Sequence, residues 1–171
     1  MFKKRDLSSR LILTMLSVAF VSVMAVAGQT ASGTLKSPDP CSLLTKEEIQ
    51  EVLGQPVQAG KLNTTANASV GQPCEFKVGD YGVFSLLIKK VGPGENAESG
   101  MAQLRKMGKA CAQIAGLGDG SFSFDAGYGM LSLNTFKGSA YLIITMLVPG
   151  MAEDAGKACA EKLMRKVLAK L

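Results

Sequence analysis

The sequence contains no histidine, and this absence excludes several classes of site. Without an imidazole there is no Ser–His–Asp triad, no Cys–His nucleophile pair and no histidine-liganded metal. The four cysteines lie far apart and form no C-x-x-C pair, so a zinc site is disfavoured as well. We therefore predict no catalytic residue, no cofactor and no metal.

A pair of carboxylates is the one acid–base scheme that remains. The acids considered for it are Glu47, Glu48, Glu75, Asp119 and Asp125. Glu47 and Glu48 are explained as first-turn residues of a helix, where the helix dipole favours acids, and Asp119 as a turn residue beside glycines. A carboxylate-dependent enzyme acting on envelope glycans therefore stays only as an alternative.

The sequence has a single long apolar run, at residues 11–27, and it carries no charge. Four bases precede this run: Lys3, Lys4, Arg5 and Arg10. A positive start, an apolar run and small residues form the plan of a secretory signal, and Ala25-Val26-Ala27 fits the cleavage pattern. Because seventeen apolar residues are near the lower limit for a span, an uncleaved anchor is the alternative. We predict a signal peptide or signal anchor at residues 1–27 and export to the periplasm or the cell exterior.

A strong basic charge is also missing once the leader is set aside. The leader holds four of the 19 basic residues and one of the 14 acidic ones, so the remaining chain has a net charge of +2. This balance excludes a nucleic-acid partner, and it leaves membrane contact only to an uncleaved leader. Residues 28–39 are small, polar and aperiodic, which predicts a flexible linker before a single domain at residues 40–171.

The four cysteines, Cys41, Cys74, Cys111 and Cys159, are an even number in a chain predicted to be exported. This pattern is typical of two disulfides, although three connectivities are open to four cysteines. We favour Cys41–Cys74 and Cys111–Cys159, because the last two fall on the inward faces of predicted helices.

The spacing of apolar residues and turns predicts an α+β fold, with helices packed on an antiparallel sheet. Helices are predicted near residues 45–53, 95–115 and 152–171, and strands at 74–78, 83–91, 121–125, 130–136 and 139–148. The order of these elements suggests two similar halves, each with a helix followed by strands. The strand at 139–148 is apolar on both faces, so we expect it to be central and covered on both sides.

The glycine-rich segment Gly116–Gly120 has two interpretations. It could cradle an anion through backbone N–H groups, but such a cradle follows a strand and precedes a helix. A helix stop followed by a tight turn into a strand explains the glycines more simply. As a surface for a ligand or partner, we select Gly118, Asp119 and Phe122, with a concave sheet face as the alternative surface.

Short motifs resemble a family of small secreted bacterial domains of unknown function, common as lipoproteins in actinobacteria. They are D-P-C-S-L-L-T at residues 39–45, E-V-L-G at 51–54, C-E-F at 74–76 and G-L-G-D-G-S-F at 116–122. The resemblance implies an exported α+β domain, similar to mycobacterial lipoproteins that share a fold with the photosystem protein PsbP. The lipobox cysteine of those lipoproteins is absent, and the family brings no catalytic residues.

These observations together predict a non-enzymatic binding or interaction module of the cell envelope. Its partner would be an envelope protein or a small molecule. An accessory subunit of an envelope complex is a further alternative, in which the partner supplies the function.

Overall fold

The computed structural model describes residues 38–66 and 71–171. The predicted leader, and the predicted linker up to residue 37, lie outside the described residues. Within the described ranges, no helix is both long enough and apolar enough to cross a membrane.

The described residues form four helices and seven strands. In chain order they are α1 (Pro40–Leu43), α2 (Lys46–Leu53), β1 (Lys61–Leu62), β2 (Cys74–Val78), β3 (Gly82–Lys90), α3 (Ala97–Lys106), β4 (Cys111–Ile114), β5 (Gly120–Gly127), β6 (Met130–Lys137), β7 (Ala140–Leu147) and α4 (Glu153–Leu168). All seven strands belong to one antiparallel sheet in the order β1-β2-β3-β7-β6-β5-β4. The predicted α+β class is confirmed.

The sheet consists of two meanders that meet side by side. Strands β1 to β3 form the first and β4 to β7 the second, and β3 pairs antiparallel with β7 at their junction. The helices that precede the two meanders pack on opposite faces of the sheet, because α2 joins the larger core and α3 the smaller one. The two halves therefore share a strand plan but differ in where their helices lie.

We call the face that packs against α1, α2 and α4 the core face. Its strand residues alternate with outward ones, as the pattern of β2 shows: Cys74, Phe76 and Val78 are buried, while Glu75 and Lys77 are exposed. The buried helix residues that meet this face include Ile49, Leu53, Leu163, Met164 and Val167. Burial of this apolar surface is the main source of stability for the domain.

Hydrogen bonds of Glu48 on α2 connect the first and last elements of the domain. Thr45 accepts a hydrogen bond from the Glu48 N–H at 3.2 Å, and Glu48 accepts one from the Thr45 N–H at 2.9 Å. This capping box begins the helix, as the Thr45-x-x-Glu48 spacing predicts. Lys170, just past α4, donates to both carboxylate oxygens of Glu48 at 2.9 and 2.8 Å, so the last helix is fastened to the first elements.

The prediction for the strand at 139–148 is half correct. Strand β7 is the central strand of the sheet, as expected. Its core-face residues Leu142, Ile144 and Met146 are buried, whereas Ile143 and Thr145 on the other face remain partly exposed. The expectation that both sides are covered is wrong, because α3 packs mainly on strands β4 to β6 on that face.

The predicted helix at 95–115 is also too long. Helix α3 ends at Lys106, and Gly108 then adopts a left-handed φ of +72°, which turns the chain. Cys111 to Ile114 form edge strand β4, which pairs with β5. Gly108 therefore terminates the helix.

This difference overturns the second predicted disulfide. Cys41 and Cys74 are bonded as predicted, but Cys111 and Cys159 are free thiols. Cys111 lies against the Met101 carbonyl under α3, with its sulfur 3.9 Å from that oxygen, while Cys159 lies 3.4 Å from the Val52 carbonyl between α2 and α4. The two thiols are on opposite faces of the sheet, so they cannot pair without unfolding the domain.

The last helix is present, but the predicted inward position of Cys159 is only partly correct. Cys159 is partly buried, while Gly156, Ala160 and Met164 face the core. This side of α4 packs against β6 and β7.

Candidate functional site

The glycine-rich turn is fully engaged in holding the fold. It joins β4 to β5, so the predicted helix stop is wrong, although the tight turn into a strand is correct. Gly118 has a left-handed φ of +61°, and a Cβ there would collide with the Phe136 carbonyl oxygen. The close backbone approach explains the glycine without a ligand.

Asp119 is bound to the neighbouring hairpin turn. Its N–H donates to the Phe136 carbonyl at 2.7 Å, and its carboxylate accepts from the Gly138 N–H at 2.6 Å and from the Lys137 ammonium at 3.2 Å. The Gly138 hydrogen bond, followed by the Lys137 contacts, lowers the pKa of this carboxyl below its ordinary value. Its hydrogen-bonding capacity is thus largely used within the protein.

Phe122 is not a surface residue. Its side chain is 2% exposed and lies under α3 in a small core with Met101 and Phe136. The structure therefore does not bring Gly118, Asp119 and Phe122 together on one contact surface. Gly118 and Asp119 fasten a turn, and Phe122 anchors a helix.

The predicted carboxylate candidates are dispersed. Glu47 and Glu48 lie on α2, and Lys170, then the Thr45 N–H, lower the pKa of Glu48. Asp125 accepts from the Gly127 N–H at 2.7 Å near the end of β5. Across the described ranges, no group of three or more cysteine or acidic side chains could hold a metal ion.

Among the described residues, helices cover the outer face of the sheet, opposite the core face, only in part. Helix α3 packs on β4, β5 and β6. On β2, β3 and β7 the outer-face residues are exposed or partly exposed, except Leu87 of β3, which is buried, and Val83 shows 43% of its surface. This uncovered part of the sheet, rather than any single motif, borders one of several concavities of the domain.

We call this concavity the trough. It has a volume of about 430 Å³. Its outer-face lining consists of Gln58, Ala59, Lys61, Glu75, Lys77, Val83, Ser85, Met130 and Thr145. Phe76 and Phe84 also border it, but both rings are buried in the core on the other face.

Strand register arranges the outer face in and beside the trough in two rows. Lys61, Glu75, Ser85 and Thr145 are successive cross-strand partners and form a polar row. Lys77, Val83 and Leu147 are partners in the next row, which is apolar beyond its lysine. Residues directly opposite on antiparallel strands have neighbouring side chains, so each row is a continuous strip.

A buried polar network stabilises the outer face of β6 and β7 beside the trough. The Tyr141 hydroxyl donates to Asn134 Oδ1 at 2.6 Å, and Asn134 Nδ2 donates to Ser132 Oγ at 3.0 Å. The Tyr141 ring stacks on Phe136 with centroids 4.3 Å apart, and the Lys89 ammonium lies 4.9 Å from its centroid. Burial, and secondarily the Glu95 charge, raise the pKa of Tyr141 to about 12, so the hydroxyl stays a proton donor at neutral pH.

The sequence predicts a concave sheet face as an alternative contact surface, but it does not identify the residues that line the trough. The alternation in residues 74–78 indicates that Glu75 and Lys77 point outward. It does not indicate which strand lies beside them, because β3 pairs with β7 from the far end of the chain. Comparison of the chain with protein-family models, with curated proteins and with solved structures finds no match.

Proposed function

We propose that this protein is an exported, non-enzymatic binding module that holds its ligand in the trough. The observation that carries the proposal is the open outer face of β2, β3 and β7, which combines aliphatic, hydroxyl and charged side chains in one concavity. Ligand sites are typically concave and largely preformed, with a few polar groups among apolar ones. The Tyr141–Asn134–Ser132 network beside the trough supports a preformed site.

Two further features support this proposal. The Cys41–Cys74 disulfide is typical of proteins that fold in an oxidising environment, which agrees with export. The carboxyl groups with shifted pKa, Glu48, Glu95 and Asp119, are all shifted downward, whereas a general acid in glycan cleavage needs a raised pKa. Membership of the family that the D-P-C-S-L-L-T segment resembles is part of the same proposal.

The test fills the trough with a large side chain and compares the molecules that the wild type and the variants retain. Thr145→Trp places a large ring in the middle of the polar row, and Ala155→Trp places the same ring on the exposed side of α4 as the matched control. Each protein is incubated with an organic extract of bacterial envelope, passed through a sizing column, and its bound molecules are analysed by mass spectrometry. We expect the wild type and Ala155→Trp to retain the same molecules and Thr145→Trp to lose them.

The proposal fails if the wild type retains nothing, or if Thr145→Trp retains the same molecules as the control. Cooperative thermal unfolding of both variants shows that any difference arises in the trough rather than from misfolding. The sequence has no native tryptophan, so the fluorescence of each introduced ring reports its own surroundings.

A further inference from the structure

We infer that the ligand of the trough is a single-chain amphiphile with an anionic head group. This inference rests on the proposed function and adds the ligand's chemical class. It is carried by the apolar row, which begins at Lys77 on β2 and continues as aliphatic side chains on two further strands, β3 and β7.

The head-group end lies at β1 and β2. Lys61 and Lys77 are exposed there, and among the described residues neither ammonium has a carboxylate within 4.0 Å, unlike Lys137, Lys166 or Lys170. Glu75 lies between them on the same face, and its carboxylate accepts from Asn63 Nδ2 at 2.7 Å. This end of the trough has two ammonium groups without a salt bridge and one carboxylate, which is hydrogen-bonded to the Asn63 side-chain amide. Its net charge is therefore positive, which favours an anion.

The chain end runs away from Lys77. Val83 and Leu147 are its successive partners on β3 and β7, and Met130 lies at the start of the adjacent strand β6. Four neighbouring strands span roughly 14 Å at the usual spacing of about 4.8 Å. A hydrocarbon chain laid across them would remove exposed aliphatic surface from water, which is favourable in proportion to the area covered.

Other ligand classes fit less well. Within the described part of the trough, no exposed aromatic ring is available for a sugar to stack on, since Phe76 and Phe84 are buried. A cationic amphiphile would place its head beside two ammonium groups. The row of lysine followed by Val83 and Leu147 therefore matches an anionic head with an apolar chain.

The test measures binding of ligands that share a twelve-carbon chain and differ in their head groups, by titration calorimetry below their micelle concentrations. Dodecanoate and dodecyl phosphate represent two anionic heads, monolauroylglycerol a neutral head and dodecyltrimethylammonium a cationic one. We expect the wild type to bind at least one anionic ligand about tenfold or more tighter than the neutral and cationic ones. The preference should weaken at high salt, because the lysines are exposed.

Variants separate the head-group claim from the trough itself. Lys61→Gln with Lys77→Gln should weaken anion binding about tenfold and leave monolauroylglycerol binding unchanged. Lys90→Gln with Lys162→Gln is the matched control, because both lysines are exposed and neither lines the trough.

Equal affinity for all four head groups would overturn the anionic assignment. The proposed function would survive that result if Thr145→Trp still abolished binding. Binding that persists in Thr145→Trp, or no binding of any twelve-carbon ligand to the wild type, would overturn the amphiphile assignment. In those two cases the envelope-extract experiment decides separately whether the trough holds another molecule.

Discussion

Two helix glycines are expected to respond in opposite ways to the same substitution. Gly100 lies within α3 and Gly156 within α4. In an exposed helix interior, alanine is more favourable than glycine by about 1 kcal/mol, so propensity alone predicts that both changes to alanine stabilise the domain. The surroundings of the added methyl group decide the difference.

At Gly156 the methyl group has room. A Cβ there would lie 3.8 Å from Met151 Sδ and 3.9 Å from Leu131 Cδ2, which are ordinary contacts. The residue also borders a cavity of about 200 Å³ lined by Leu131, Met146 and Val148 among others. Adding the burial of one methyl group, up to about 0.8 kcal/mol, to the propensity term gives an expected stabilisation of about 1–2 kcal/mol for Gly156→Ala.

At Gly100 the methyl group collides with an aromatic ring. A Cβ there would lie 2.8 and 2.9 Å from two ring carbons of Phe122. Phe122 is held between Met101 and Phe136, so the ring cannot move aside freely. Overpacking of this kind costs about 1–3 kcal/mol, which outweighs the propensity gain and leaves Gly100→Ala destabilising by up to about 2 kcal/mol.

The assay is urea unfolding at neutral pH, followed by far-UV circular dichroism. The two variants should differ by about 1–4 kcal/mol in unfolding free energy, with Gly156→Ala the more stable. Adding Phe122→Leu to Gly100→Ala should recover stability relative to the sum of the single changes, because the smaller side chain relieves the collision. Equal stabilisation by both alanines would refute the packing of α3 on Phe122.

Three further outcomes follow from the contacts described. Cys41→Ser opens a loop of sequence separation 33 and should lower the unfolding free energy by about 4 kcal/mol, measured by urea unfolding. Gly118→Ala should destabilise the domain by about 1–3 kcal/mol without altering ligand binding, because it strains a turn outside the trough. The lowered pKa values of Glu48, Glu95 and Asp119 stabilise the fold above about pH 4–5, and this contribution is lost as pH falls through the folded-state values. Unfolding titrations from about pH 7 to pH 3 should show the loss, and Glu48→Gln should reduce its slope.

Each of these expectations can fail. If Cys41→Ser left the urea midpoint unchanged, the disulfide would not constrain the unfolded chain. If Gly118→Ala abolished ligand binding while the domain stayed folded, the result would show that the 116–120 turn is part of the binding surface. If the unfolding free energy of Glu48→Gln fell with decreasing pH as steeply as that of the wild type, the contact of Glu48 with Lys170 would make no contribution to stability in solution.

Elements whose signal is local could be predicted from the sequence. Strand β2 shows strict alternation, and the strands at 130–137 and 140–147 are bounded by glycine turns, so their ends agree within a residue or two. The Thr45–Glu48 capping box is likewise a pattern of neighbours. Each of these elements is determined mainly by residues adjacent in the chain.

Features that depend on which distant elements meet could not be predicted. The sequence predicts Cys111 as part of the preceding helix, because four residues of β4 are too few to show alternation against the helical spacing before them. The choice of partner for Cys159 then depended on the face of the sheet, which only the fold defines. The trough has the same origin, since Val83 and Leu147 become neighbours only through the pairing of β3 with β7.

The most direct test of amphiphile binding in the trough is to locate bound dodecanoate by methyl NMR of the isotope-labelled protein. Ligand in the trough should shift the methyl signals of Val83, Leu147 and Met130, and leave unchanged those of Leu163 and Val167, which lie on the buried side of α4. Shifts confined to residues beside the 116–120 turn or to the core face, or no saturable shift at all, would contradict binding of an anionic amphiphile on the open face of the sheet.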